Sequence, residues 1–386
     1  MLTSGEKTLL RIQGISFFAS SLAGIFVQFY VFAHLNFTGL VLYNFVLFVF
    51  LLILYIASGY LLKHFTTKDL IMTSLILTTA SYVILLIFKE NALNYIVFLG
   101  MLSGASTGLF WSGYNLSQYI LTHAHSRDHF FGRFQVVMNG SSAIAPLLGG
   151  LIVTFFGYYV LFGIVACFNL YLSFIAKNLP EHSEIEFSLN HLVTHVRSKK
   201  WKDVLVQNVI IGLYDGGFSV LSGIIFFLVL QDPSVVGFFR SLIFLISALT
   251  GMLAGKLIAR VPHISILVGI VATISIVVFA LYQSPLGIAI FGLLSGISFP
   301  ILNVQLSSIV LNTSDENSES WKTKYHLFIE RDIALGVARI ASMFILLILF
   351  THFEKSAVAT GWILVISILP LALGLLLNKK TLSLSE

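Results

Sequence analysis

The chain is predicted to be an all-α membrane protein with twelve transmembrane helices in two six-helix bundles, and three observations lead there. Apolar residues make up 57% of its 386 residues, charged ones only 10%, and the mean hydropathy is +0.95. A soluble domain carries about 25% charged residues and has no core able to absorb that much apolar surface. Apolar runs of about 20 residues, enough to cross roughly 30 Å of hydrocarbon at 1.5 Å per residue, recur along the whole length. The stretch beginning at Gln13 also matches one 196 residues further on without a gap: Gly59 falls on Gly255, "NFTG" at Asn36 on "DPSV" at Asp232, and Asn44 on Arg240. Deeper in each half, "FLGMLSGAS" from Phe98 answers "IFGLLSGIS" from Ile290. A duplicated membrane chain implies two similar bundles around a site that opens to either side when one rocks against the other.

In chain order the spans are expected at about 10–34, 39–62, 70–88, 94–121, 133–155, 158–176, 204–230, 236–258, 264–282, 286–311, 327–351 and 356–378. All must be helices, because lipid satisfies no backbone hydrogen bond and the alternation of barrel strands is missing. Gln13, Gln28 and the lack of a small-residue cleavage site argue against reading the first span as a removable signal. The longest polar stretch, "KNLPEHSEIEFSLNHLVTHVRSKKWK" from Lys177, separates spans six and seven. The expected domains are therefore 1–176, a linker at 177–203, and 204–386. Lys and Arg concentrate in this linker and in alternate loops, leaving Lys89 and Lys355 on the other side and Arg240 and Arg339 inside helices. The positive-inside rule then places both termini and the linker in the cytoplasm.

Topology accounts for the net charge of +5, so nothing calls for a nucleic-acid partner. The single cysteine, Cys167, excludes an internal disulfide. His191 and His195, four residues apart, lack the Cys, Asp or third His that would complete a metal site, and His123, His125 and His129 around Arg127 are read in the same way. The linker reads instead as an amphipathic segment on the inner membrane surface, with Lys199, Lys200 and Lys202 at the head groups. No cofactor is expected. No phosphate-binding G-x-x-x-x-G-K-[ST] and no cluster of His and acids suggests an enzyme.

Twelve spans, the six-plus-six repeat, the central loop and internal termini resemble the plan of the major facilitator superfamily, over essentially the whole chain. Its motif between spans two and three, G-x-x-x-D-[RK]-x-G-[RK]-[RK], corresponds here to Gly59, Lys63, His64, Thr66, Thr67 and Lys68. The acid is replaced by Lys63, and the second-half copy keeps Gly255 and Arg260 with Ala259 in place of the acid. In span five, "GSSAIAPLLGG" resembles the G-x-x-x-G-P-x-x-G-G motif of the superfamily's exporters, with Ala145, Pro146, Gly149 and Gly150 in register and Ser141 replacing the first Gly. Small residues there let helices approach closely, and Pro146 bends the span. The Arg that proton-coupled drug exporters carry in span four is missing from "GLFWSGYNLSQY". The resemblance implies a non-enzymatic, monomeric secondary transporter in a bacterial cytoplasmic membrane, with a small-molecule substrate and protons as partners. Export is the expected direction; a lipid or glycolipid flippase, an importer, and more distantly a membrane sensor or enzyme are the alternatives.

Ionisable groups within hydrocarbon cost on the order of 3 kcal/mol each on insertion scales, so each needs a reason. Asp215 lies about 17 Å of rise into span seven and Arg339 at similar depth in span eleven, and they are expected to pair. Two readings stand: Asp215 carries a coupling proton, or the pair fixes packing. Arg240 in span eight, about 10 Å below the outer surface, either meets an anionic head group or gate residue or snorkels outward. Trp111, Asn115, Gln118 and Tyr119, with Tyr114 alongside, form the polar and aromatic stripe of span four. Together with Gln28, Asn44, Asn303 and Gln305 they either line a cavity suited to a lipophilic or amphiphilic solute or join helices by amide hydrogen bonds. Arg127, Asp128, Arg133, Glu330, Arg331 and Asp332 are candidates for an inner gate or, for the bases, membrane anchors.

Overall fold

The computed structural model describes residues 3–121, 127–182, 187–189, 197–317 and 321–383, and it is helical almost throughout. In order the helices are α1 (Ser4–Leu61), α2 (Thr67–Phe88), a 3-10 segment (Lys89–Tyr95), α3 (Ile96–Leu121), α4 (Arg127–Phe156), α5 (Tyr158–Ala176), α6 (Lys199–Leu230), α7 (Pro233–Arg260), α8 (Ile264–Leu281), α9 (Pro285–Asn317), α10 (Trp321–His352), α11 (Lys355–Ile366) and α12 (Leu369–Ser383). Among the described residues, ten helical stretches are long and apolar enough to span a membrane, two of them 58 and 55 residues long.

The longest, α1, has one residue outside helical geometry, Asn36 at φ 58° and ψ −168°. Along a straight helix Gln28 and Asn44 would stand about 24 Å apart, yet both line one small cavity. The rings of Phe32 and Phe37 meet edge to face at 4.9 Å. The chain therefore folds back at Asn36, and the expected four-residue loop "NFTG" shrinks to a single non-helical residue. Such backbone is nearly always glycine and costs about 1–3 kcal/mol.

N-terminal caps start several helices where polar residues interrupt the apolar runs. Thr3 with Glu6, and Thr66 with Asp69, form reciprocal capping boxes. Asp232 and Glu354 cap α7 and α11; the Ser234 hydroxyl and N–H hold the Asp232 carboxyl below the ordinary carboxylate range, and the Ser356 and Ala357 N–H groups do the same for Glu354. The acid missing from the superfamily pattern after Gly59 thus has a neighbour in Asp69, but Asp69 is spent on the cap. Lys68 of the same loop pairs with Glu181, and the Thr67 N–H donates to the His182 carbonyl at 3.0 Å, tying the loop to the start of the linker.

Small residues set how closely the helices pack. In "FLGMLSGAS" and just beyond it, Gly100, Gly104 and Gly108 run four apart along α3, where a Cβ would stand 2.9, 2.2 and 2.4 Å from the carbonyl oxygens of Tyr43, Leu47 and Leu51. In the second-half copy Gly292 and Gly296 face Ile243 and Ile246 of α7. Backbone-to-side-chain approach of this kind is what joins helices where lipid is as apolar as leucine.

The first and second halves of the chain meet along two seams. In the α4/α7 seam a Cβ at Gly150 would lie 2.4 Å from the Pro233 carbonyl oxygen, and one at Gly237 would lie 2.3 Å from that of Pro146. The Leu147 N–H, next to the Pro146 bend, donates to Ser241 Oγ at 3.0 Å. The α1/α10 seam runs the length of the bundle: Phe37 stacks on Phe350 at 5.2 Å, Phe45 meets Phe344 at 5.9 Å, and Ser58 approaches Tyr325 at 3.4 Å. His191, His195, His123 and His125 lie outside the described residues, as does the side chain of His129.

Candidate functional site

Two cavities of similar size lie inside the bundle, one in each half. The first, about 390 Å³, is enclosed by α1, α2, α3 and α5. Of the expected cavity residues it holds Gln28, Asn44 and Trp111. Around them stand Ser16, Ser20, Thr78, Ser81, Ser106 and Thr107, none singled out in the sequence. Much of their donor capacity is spent within the protein. Thr78, Ser81, Ser106 and Thr107 donate to carbonyls of their own helices, Asn44 Nδ2 donates to the Leu40 carbonyl at 2.9 Å, and the Tyr43 hydroxyl donates to Ser103 Oγ at 3.0 Å. Such back-bonding leaves oxygen lone pairs toward the cavity. It is an uncharged, acceptor-rich chamber with aromatic walls of Phe17, Tyr82, Phe110 and Trp111.

The second cavity, about 420 Å³, contains Asp215, Arg240, Asn303 and Arg339. The sequence explains why an acid and a base meet there. Gly212 and Gly216, four apart on α6, let it press against α10 so closely that a Cβ at Gly212 would lie 2.4 Å from the Leu335 carbonyl oxygen and one at Gly216 would lie 3.0 Å from Arg339 Cα. Asp215, between them, reaches Arg339 at 2.5 Å, with side-chain exposures of 37% and 22%. Arg339 also stands 5.5 Å from the centre of the Phe48 ring, on α1, so it bridges the two halves. Its Nε lies buried without a hydrogen-bond partner among the described residues.

Four of the expected cavity residues are elsewhere. Tyr114 is fully buried in the first-half core, stacked between Phe110 and Phe134. Asn115 donates to the Tyr55 hydroxyl at 3.3 Å, and neither it nor Gln118 lines either cavity. Gln305 accepts from Ser265 Oγ at 2.6 Å, joining α8 to α9. Of the i, i+4 stripe of span four only Trp111 lines the first cavity. That depends on α3 packing through its glycines. Gly59 packs against the Phe187 ring, Gly149 against the Leu22 carbonyl and Gly150 against that of Pro233, whereas exposed Gly255 has no atom within 4 Å of its would-be Cβ. Its match to Gly59 is a match of sequence without a matching contact, because the linker that supplies Phe187 has no counterpart in the second half.

At the linker end of the bundle the expected gate residues divide. The side chains of Arg127 and Asp128 lie outside the described residues, and Arg133 is exposed. Glu330 accepts from Arg197 Nε through both carboxylate oxygens at 2.8 Å and from Trp201 Nε1 at 3.0 Å. It therefore ties α10 to the linker and α6. Arg331 and Asp332 pair with one another at 2.8 Å. Neither Arg197 nor Trp201 was a sequence candidate; an Arg and a Trp flanking the start of a span read equally well as surface anchors. Glu330→Gln keeps one acceptor oxygen but opposes an amide to the buried guanidinium, and should cost about 3 kcal/mol. A thermal melt or denaturant titration of the detergent-purified protein checks this; a change within 0.5 kcal/mol, the usual range for surface substitutions, would show the contact to be solvated.

Paired cavities within a bundle of apolar helices, with charges kept for the cavity wall, define the class: a polytopic membrane transporter. The Major Facilitator Superfamily model matches residues 9–317, and the chain belongs to that superfamily. It is a transporter family rather than a family of enzymes. The uncharacterized protein YqgE of Bacillus subtilis (strain 168) is 23% identical over 360 residues, covering 90% of this chain and 83% of that protein. An uncharacterized protein from the sodM 3' region of Geobacillus stearothermophilus is 28% identical over 147 residues, 38% of this chain and 69% of that one. Among solved structures, a bacterial homologue of the iron transporter ferroportin in an inward-facing state superposes with a TM-score of 0.73 at 13% identity, covering 98% of this chain and 99% of that one. A point mutant of the nucleoside transporter NupG gives 0.71 at 12% identity over 97% and 99%. A point mutant of the peptide transporter POT gives 0.71 at 14% over 98% and 94%. At these identities the likeness is one of fold.

Proposed function

We propose that the protein is a secondary active exporter of a small amphiphilic organic solute, working by alternating access and driven by protons. The observation that carries this reading is the Asp215–Arg339 pair on the wall of the second-half cavity, with Arg339 also against Phe48 of the other half. Protonating Asp215 releases Arg339 from its partner, and Arg339 then interacts with α1 on different terms. The charge state of one carboxyl is in this way linked to how the two halves sit against each other. The solute occupies the uncharged first-half chamber, whose aromatic walls and oxygen acceptors suit a molecule with both an apolar body and donor groups.

The chain reversal at Asn36 and the 3-10 segment (Lys89–Tyr95) each divide an overlong helical stretch, which supports twelve spans in two six-helix bundles, 1–176 and 204–386, joined by the linker 177–203. The basic loops support placing the linker and both termini in the cytoplasm, and the bacillar relative supports a bacterial cytoplasmic membrane. Export rests on the span-five motif, whose Pro146 and Gly150 stand in the seam between the halves.

The test is uptake of a candidate solute panel into inside-out vesicles. Accumulation that collapses with an uncoupler is expected. Accumulation indifferent to the uncoupler removes the proton, uptake only into right-side-out vesicles reverses the direction, and lipid scrambling alone makes the protein a flippase.

A further inference from the structure

We infer that the second-half cavity is an anion site: Arg240 receives a carboxylate or similar anionic group of the transported solute. The inference rests on the transport reading and specifies the chemistry of the solute. Arg240 lies in α7, a helix long and apolar enough to span the membrane, and its Nε is buried with no hydrogen-bond partner among the described residues. No carboxylate comes within 4 Å of it among the described residues, whereas the other two charges of the cavity, Asp215 and Arg339, neutralise one another. The cavity therefore carries one uncompensated positive charge.

A snorkelling arginine would extend its guanidinium to water. This one folds over the Phe226 ring, 4.7 Å from its centre, and turns toward the seam between the halves. There Gly223 leaves room for it: a Cβ at that position would stand 3.3 Å from Gln28 Oε1 and 3.8 Å from Arg240 Nη2. Gln28 also lines the first-half chamber, so Arg240 stands where the two cavities approach one another. An unpaired guanidinium in a low-dielectric site is costly without a counter-ion, and its planar donor array matches a carboxylate. A solute with its uncharged body in the first chamber and its anionic end at Arg240 supplies that counter-ion and makes the site neutral. The Asn44 that answers Arg240 in the repeat bonds its own helix instead, so only the second half is built this way.

The test uses the full chain purified in detergent and two probes of one shape, sodium benzoate and benzamide, with melting followed as each is titrated. Benzoate is expected to raise the Tm at concentrations about tenfold below those at which benzamide acts. Arg240→Gln should abolish that preference while melting about 2–4 °C above the wild type without ligand, because it removes an uncompensated buried charge. Arg240→Lys should retain part of the preference. Equal responses to the two probes, including none to either, overturn the inference, as does a benzoate preference that survives Arg240→Gln. So does a ligand-free Arg240→Gln protein that melts below the wild type, which would make the arginine structural. Melting in detergent is independent of gradient-driven flux. Loss of the benzoate preference with flux intact leaves the transport reading standing, and the reverse leaves the anion site standing.

Discussion

Asp215→Asn abolishes uphill, gradient-driven transport while solute binding persists. The amide still accepts a hydrogen bond from Arg339 but can take up no proton, so the pair loses its two charge states. Because Asp215 is 37% exposed at the cavity wall, water screens the released Arg339 charge, and the folding cost should be about 1–2 kcal/mol, well below that of breaking a dry ion pair. The prediction is therefore selective. Counterflow exchange of solute, which needs alternation but no net proton movement, should continue at a rate close to that of the wild type. Accumulation against a gradient should fall to the level of empty vesicles. If Asp215→Asn still concentrates solute, the pair is a packing device. If it unfolds the protein, the double variant Asp215→Asn with Arg339→Gln separates the two explanations, since it removes both charges and should restore stability without restoring coupling.

Gly150→Val destabilises the protein by about 3 kcal/mol or more and slows whatever cycle survives. A Cβ at this position would lie 2.4 Å from the carbonyl oxygen of Pro233. The obstacle is backbone, which no rotamer change relieves. To admit the side chain α4 must move away from α7, breaking the 3.0 Å hydrogen bond from Leu147 N–H to Ser241 Oγ on the way. A comparison within the same protein makes the test sharp. Gly255 also belongs to a glycine motif and also lies in a helix, but nothing approaches it within 4 Å. Gly255→Val should change stability by no more than about 0.5 kcal/mol. Equal melting of the two variants would show that the seam yields freely, and that the close approach at Gly150 does not hold the halves together.

How far the site was legible in the sequence differs from residue to residue. Asp215 and Arg339 were visible because a charge in an apolar helix is rare and demands a partner. Their closeness needed a second feature, Gly212 and Gly216 on the same helix, which reads as ordinary small-residue content until the neighbour is known. The first chamber was nearly invisible. Ser16, Ser20, Thr78, Ser81, Ser106 and Thr107 are common in membrane helices and stand out only when four helices turn them toward one space. The amides of span four were conspicuous and misleading, because Asn115 is satisfied by Tyr55 and does not face the cavity. Arg240 stood out by its charge, but a snorkelling side chain and a buried one have the same sequence.

The helical class, the membrane environment and the duplication are properties of composition and period. They follow from the sequence alone, because hydrocarbon accepts no backbone that is not internally hydrogen-bonded and the apolar runs have the length of a bilayer. The repeat likewise announced glycines at corresponding places. Whether a glycine is a contact or a gap was decided by tertiary structure: Gly59 meets Phe187 and Gly255 meets nothing, although the two align. Packing also decided which polar groups are spent within helices and which face a cavity, and it left Arg240 Nε without a hydrogen-bond partner among the described residues. Those outcomes depend on the rotation of each helix about its axis, which close approach between particular neighbours sets and which no single helix encodes.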